Sequence, residues 1–203
     1  MMNGEHRQEI PRYVFGLSAL GLAGYFLLAH VHEPVIFFAS LFFLVICTTD
    51  TLQARIPNPA TFTLVLIGLG YQIQAGGILG GAMALAGLLV GLALLLVPYL
   101  LGGMGAGDVK ALAALGALLG PGDIFQVFLF SGLIGGAMAL VHLALSKNLK
   151  NRLRSWLATA WLLITRQSLP GKEAVAEDTR IKYPYGAAIA FGFFAFLSWG
   201  GLV

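Results

Sequence analysis

The chain has 203 residues, 58% of them hydrophobic and only 10% charged, with a net charge of +3 and 27 glycines. A soluble domain carries about 25% charged residues, so this composition argues against an ordinary water-exposed globule and for a chain surrounded by lipid. No basic stripe with interleaved aromatics marks a nucleic-acid surface, and a single cysteine, Cys47, rules out a disulfide within the chain and suggests no cysteine metal site.

Apolar runs lie at about 13–29, 34–49, 60–74, 78–101, 109–120, 124–145 and 183–203. A perpendicular helix needs roughly 20 apolar residues to cross the hydrocarbon core. The shorter runs border glycine, proline and polar residues, which fits ends buried inside a bundle. The expected fold is all-α: a polytopic transmembrane bundle of about seven spans, or six if 109–120 only dips into the bilayer, forming a single domain over 1–203. The start of the chain, 1–12, is polar and of mixed charge, and the run after it is too long for a signal h-region, so it reads as a retained span.

Seven spans put the segments 1–12, 50–59, 102–110 and 146–182 on one side. Those segments hold Arg7, Arg12, Arg55, Lys110, Lys147, Lys150, Arg152, Arg154, Arg166, Lys172, Arg180 and Lys182, which is all twelve Lys and Arg residues. Cytoplasmic loops carry the Lys/Arg excess, so the N-terminus is expected in the cytoplasm and the C-terminus outside. Within the last of these loops, 147–168 reads as an amphipathic helix on the cytoplasmic face: Leu149, Leu153, Trp156, Leu157, Ala160, Trp161 and Ile164 share one side of a helix, with the basic residues clustered at its start. A solvated linker is the plainer alternative. Glycine pairs four apart, Gly77/Gly81, Gly87/Gly91 and Gly132/Gly136, are places where membrane helices can approach closely.

Ionisable groups bordering a bilayer are costly and are functional candidates by default. Asp123 follows Pro121-Gly122 at the start of an apolar run, where a helix N-cap belongs. Asp108 opens another run, behind the glycine-rich stretch Gly102-Gly103-Met104-Gly105-Ala106-Gly107. It too suits a cap, but the sparse glycine backbone also lets another chain approach its carboxyl group. Asp50 ends a helix, where the dipole disfavours negative charge, so local structure gives no reason for it. Pro57 in Arg55-Ile56-Pro57-Asn58 biases Ile56 away from helix.

The topology puts Asp50 and Asp108 on one side at similar depth. Two carboxylates brought close share one proton, so that one can act as general base on water and the other as general acid on a carbonyl. That chemistry needs neither a metal nor a cofactor. His6, His30, His32 and His142 are scattered and show no triad or zinc-ligand spacing. The competing reading is a transporter or channel using the same acids for protons or ions; a structural assembly subunit is a third.

Gly105-Ala106-Gly107-Asp108 matches the G-x-G-D motif of intramembrane aspartic proteases. Its context through Val109-Lys110, Asp50 with Arg55-Ile56-Pro57-Asn58, and Pro184-Tyr185-Gly186-Ala187 in the last run are together similar to prepilin peptidases. The resemblance covers most of the chain from about Val45. It implies cleavage of the basic leader from type IV or Flp-type prepilins at the cytoplasmic face of the bacterial inner membrane, with Asp50 and Asp108 catalytic and Gly105, Gly107, Lys110, Pro57 and Asn58 in support. The implied partners are the prepilin leader with the start of its helix, and membrane lipid; nucleic acid is not among them. Larger members carry paired Cys-x-x-Cys motifs associated with N-methylation. With no such pair, this chain looks more like the compact enzymes of tight-adherence pilus systems (the CpaA/TadV kind), and methylation is not implied.

Overall fold

A computed structural model describes residues 4–101, 103–145 and 185–199. The amphipathic segment 147–168 expected from the sequence lies outside these residues. The described residues are helical and contain no strand. They form α1 (Gly4–Ala29), α2 (Pro34–Gln53), α3 (Asn58–Leu100), α4 (Ala106–Leu119), α5 (Pro121–Leu145) and α6 (Tyr185–Ser198). Four of these helices are long and apolar enough to cross a membrane, α1 from Pro11 onward, α2, α3 and α5 up to Val141. Their outward surfaces carry large apolar side chains such as Leu17, Leu28, Phe62, Leu89 and Leu133. Such a surface suits lipid, and the chain is a helical membrane bundle. By chain contacts the molecule divides into two units, one of 1–137 with 183–203 and one of 138–182, and both Asp50 and Asp108 belong to the first.

α3 accounts for two of the expected spans. At 43 residues it is more than twice the length a bilayer needs, and it folds back on itself at Gly77 (φ 59°, ψ −142°). Only glycine adopts that conformation without a steric penalty. The return is tight: Gly80 lies on the backbone of Gln72, whose carbonyl carbon would sit 2.7 Å from an added Cβ, and Gly81 lies on Ile73. The arms 58–76 and 78–100 therefore run antiparallel, as the polar break near Gln72 and Gln74 suggests.

α4 is the centre of this unit. Its 14 residues span about 21 Å at 1.5 Å per residue, less than the roughly 30 Å hydrocarbon core. It is instead enclosed by protein, with every residue from Ala111 to Leu119 buried. A helix that is apolar all round belongs in a core. The small residues Ala113, Ala114, Gly116 and Ala117 let both arms of α3 close on it. Gly68 in the first arm meets the backbone of Ala117 and Leu118, Gly87 in the second meets Gly116 and Gly120, and Gly91 meets Leu112 and Ala113. The order of these contacts makes α4 parallel to the first arm and antiparallel to the second.

The pair Gly87/Gly91 is thus a helix-packing surface. Gly132 and Gly136 have nothing nearby among the described residues; Gly135 between them packs on Tyr185 and Ala188 of α6, and Gly192 of α6 packs on Ser131. Phe43, Phe193 and Phe194 fill the space between α2 and α6, with ring centroids 5.3 to 5.6 Å apart.

Two local expectations change. Asp123 is not an N-cap: α5 begins at Pro121, which places Asp123 within its first turn. A carboxylate there still suits the positive end of the helix dipole. The first helix starts at Gly4 and continues through Pro11, well before the apolar run.

Candidate functional site

The lower end of α2, the start of α4 and the start of α6 meet at one end of the unit, and Asp50 and Asp108 lie there. Asp50 is 7% exposed and Asp108 9%. Both belong to a short set of buried polar side chains, and their carboxyl groups are within electrostatic reach of each other.

Asp50 lies in the last turn of α2, which Ala54 ends in the left-handed conformation (φ 52°, ψ 41°). That conformation costs a residue with a Cβ about 1–2 kcal/mol. The Ala54 N–H donates to the Asp50 carbonyl at 3.0 Å. The negative end of the α2 dipole would repel the Asp50 carboxylate, yet a second helix compensates. Gly186, in the first turn of α6, donates its backbone N–H to Asp50 Oδ2 at 3.3 Å. The carboxyl group of a helix C-terminus is thereby placed at the positive N-terminus of another helix. Glycine at 186 allows this close seat, since a Cβ would stand 3.0 Å from Asp50 Oδ2 and press the carboxyl back.

Asp108 is held from its own helix. Gly105 is the N-cap of α4 and Asp108 the third residue of the first turn; the Gly105 N–H donates to Asp108 Oδ2 at 3.0 Å. This is the reach-back half of a capping box. Asp108 therefore serves as a cap and also shares a buried site with a second acid.

The other residues singled out in the sequence lie at the starts of α3 and α4. Gly107 faces Ile56, with the position of a Cβ 3.1 Å from Ile56 Cβ, so the glycine lets the 54–57 turn settle on the start of α4. Pro57 is the N-cap of α3 in an extended conformation (φ −71°, ψ 129°). Lys110 Nζ donates to Asn58 Oδ1 at 2.9 Å, on the exposed rim, tying the first turn of α4 to the first turn of α3.

Sequence reasoning missed two contributors. Arg12 counted only as a topogenic charge, but its Nη2 donates to the Asp50 carbonyl at 2.6 Å. Tyr185-Gly186 entered only through resemblance, although the N–H groups that open a helix are free donors by construction. Tyr185 is also within electrostatic reach of Asp108.

Fold and site together define a polytopic helical membrane protein with two acids buried at one end of its bundle. The model of the type IV leader peptidase family matches residues 36–140, just over half of the chain and a stretch that includes both aspartates. The chain belongs to the type IV leader peptidase family, and is a protease acting on type IV prepilins. Neither the curated proteins nor the solved structures contain a significant match. α1 and α6 fall outside the matched residues, although each places a donor on Asp50.

Proposed function

We propose that this chain is an aspartic endopeptidase that removes the basic leader of type IV or Flp-type prepilins at the cytoplasmic face of the inner membrane, with Asp50 and Asp108 as the catalytic pair. The observation that carries this reading is the burial of both carboxyl groups at one end of the bundle, in reach of each other, each taking one backbone N–H.

Such a pair shares one proton. The carboxylate member takes a proton from a water, whose oxygen attacks the scissile carbonyl carbon. The protonated member donates to the carbonyl oxygen as it becomes a hydroxyl. The resulting gem-diol then collapses: the member that took the water's proton gives it to the nitrogen as the C–N bond breaks, while the other, now a carboxylate, takes the proton of one hydroxyl, so that a carboxylic acid forms and the starting protonation is restored. The backbone N–H groups of Gly105 and Gly186 orient the two carboxyls for these transfers, since a donor fixes which oxygen faces inward.

The charge pattern supports the cytoplasmic side. Arg12, Arg55 and Lys110 cluster at the same end as the acids, and all twelve Lys and Arg residues fall in segments assigned to that side. Lipid surrounds the apolar outer faces. The substrate's own apolar helix would approach through the same lipid and present its leader at the membrane edge.

The test is reconstitution of the full chain in liposomes with a synthetic prepilin, followed by mass spectrometry of the products. Loss of the leader by the wild type, and its retention by both Asp50→Asn and Asp108→Asn, is the expected result. Full cleavage by either variant removes the pair mechanism. Proton-coupled solute uptake with no cleavage would favour a transporter that uses the same acids.

A further inference from the structure

Asp50 lies in the last turn of α2, and its backbone carbonyl has two donors. Ala54 N–H reaches it at 3.0 Å, and Arg12 Nη2 from α1 at 2.6 Å. α2 has no basic residue in its own last turn. The positive charge that complements the negative end of its dipole, and the donor that caps its last carbonyls, therefore come from a different helix. α1 is seated for this role. Arg12 lies four residues before Gly16, on the same helical face. Gly16 packs so closely on Thr51, the neighbour of Asp50, that a Cβ there would collide with the threonine side chain. Ala19 and Ala23 continue the face and are fully buried. Small residues along one stripe let α1 approach α2 closely, which brings the guanidinium within reach.

We infer that Arg12 is a positioning residue for Asp50: a C-cap supplied by α1 that fixes the backbone of the reacting acid while its charge complements the negative end of the α2 dipole. The inference rests on the peptidase reading above. α1 lies outside the residues that match the family, so this chain adds to the matched segment a helix whose last charged residue is built into the site. Arg12 touches the main chain of Asp50 and reaches the reaction only through it. Its removal should thus slow turnover and leave substrate binding nearly unchanged. A purely topogenic arginine would behave differently, since its loss would lower the amount of correctly inserted protein and leave the turnover of each molecule intact.

The experiment compares the wild type, Arg12→Gln, Arg12→Lys and Asp50→Asn as full chains in liposomes, with a synthetic prepilin. Initial rates are normalised to inserted protein, and hydrogen exchange is followed over peptides covering 48–56 and 108–118. Arg12→Gln is expected to lower kcat by about 10-fold, equivalent to about 1.4 kcal/mol, with KM within about twofold, since a hydrogen bond from a charged group is stronger than one between neutral groups. Arg12→Lys is expected to recover part of that loss. Exchange is expected to quicken over 48–56 and stay unchanged over 108–118. An unchanged kcat in Arg12→Gln, a change in KM alone, or equal loosening of both peptides would overturn the inference while a cleaving wild type leaves the peptidase reading standing. A wild type that cleaves nothing overturns that reading, and this inference with it.

Discussion

The backbone N–H of Gly186 donates to Asp50 Oδ2 at 3.3 Å, across 136 residues of sequence. The carboxyl group of one helix C-terminus is seated on the N-terminus of another, and the seat is tight enough that an added methyl would stand 3.0 Å from the oxygen and 3.7 Å from Cγ. Gly186→Ala is therefore expected to turn the Asp50 carboxyl away and break this bond. The result should be a kcat lower by about tenfold, in line with a charge-assisted bond of about 1.5 kcal/mol or more, with KM little changed. Steady-state cleavage of a synthetic prepilin, beside a thermal unfolding curve in detergent, separates this from loss of fold.

The catalytic reading of Asp50 and Asp108 makes a sharper demand than loss of activity. General acid–base groups contribute about 10²–10⁴-fold each, and groups that act as a unit are not additive. Asp50→Asn and Asp108→Asn are each expected to reduce kcat by at least about 100-fold, and the double variant to be no slower than the slower single one. Multiplicative losses would mean that the two acids act in separate steps. Both variants should insert and unfold like the wild type, because asparagine keeps the shape of each side chain and still accepts the Gly186 or Gly105 N–H.

Packing makes a prediction at a distance from the chemistry. A Cβ on Gly87 would lie 2.8 Å from the backbone of Gly120 and closer still to the Gly116 carbonyl. Backbone cannot move aside as a side-chain tip can, so α4 would have to shift along its whole length. Gly87→Leu is expected to abolish a cooperative unfolding transition in detergent and, with it, cleavage. Gly132→Ala is the comparison: with nothing among the described residues within 4 Å of the new methyl, it should unfold within a few degrees of the wild type.

Much of this could be read from the residues themselves. The apolar runs and their polar interruptions mark the helices, and the turn at Gly77 coincides with a break in hydropathy between Gln74 and Ile78. Asp50 drew notice because a carboxylate at a helix C-terminus is electrostatically wrong by itself. Its remedy was not legible, since it consists of two contacts, from Arg12 and Gly186, that only the packed bundle creates. Local sequence fixes which groups are left unsatisfied at helix ends, and tertiary structure decides which partner meets them. The same limit explains Asp123: a Pro-Gly pair before an acid suggests a cap, but Pro121 suits the first helical position and draws the start of α5 back by three residues. It also explains the glycine pairs. Spacing alone cannot separate Gly87/Gly91, which face α4, from Gly132/Gly136, which meet nothing among the described residues.

Gln72 tests how the far end of α4 is held. This polar side chain, near the end of the first arm of α3, donates Nε2 to the Leu118 carbonyl at 3.0 Å. Leu118 lies in the last turn of α4, where carbonyls lack a partner within the helix. Gln72 thus caps the helix whose opposite end carries Asp108, and in an apolar setting water is a poor substitute. Gln72→Leu preserves bulk and removes the donor. It is expected to lower stability by about 1–3 kcal/mol, the cost of leaving a buried acceptor unpaired, and so to lower the unfolding temperature by several degrees. Because α4 is gripped along its length by Gly68, Gly87 and Gly91, the loosening should stay at the 118–120 end, and kcat at a temperature well below the transition should change less than about twofold. A kcat loss as large as that of Gly186→Ala would show instead that α4 moves as a rigid rod, carrying a fault at one end to the acid at the other.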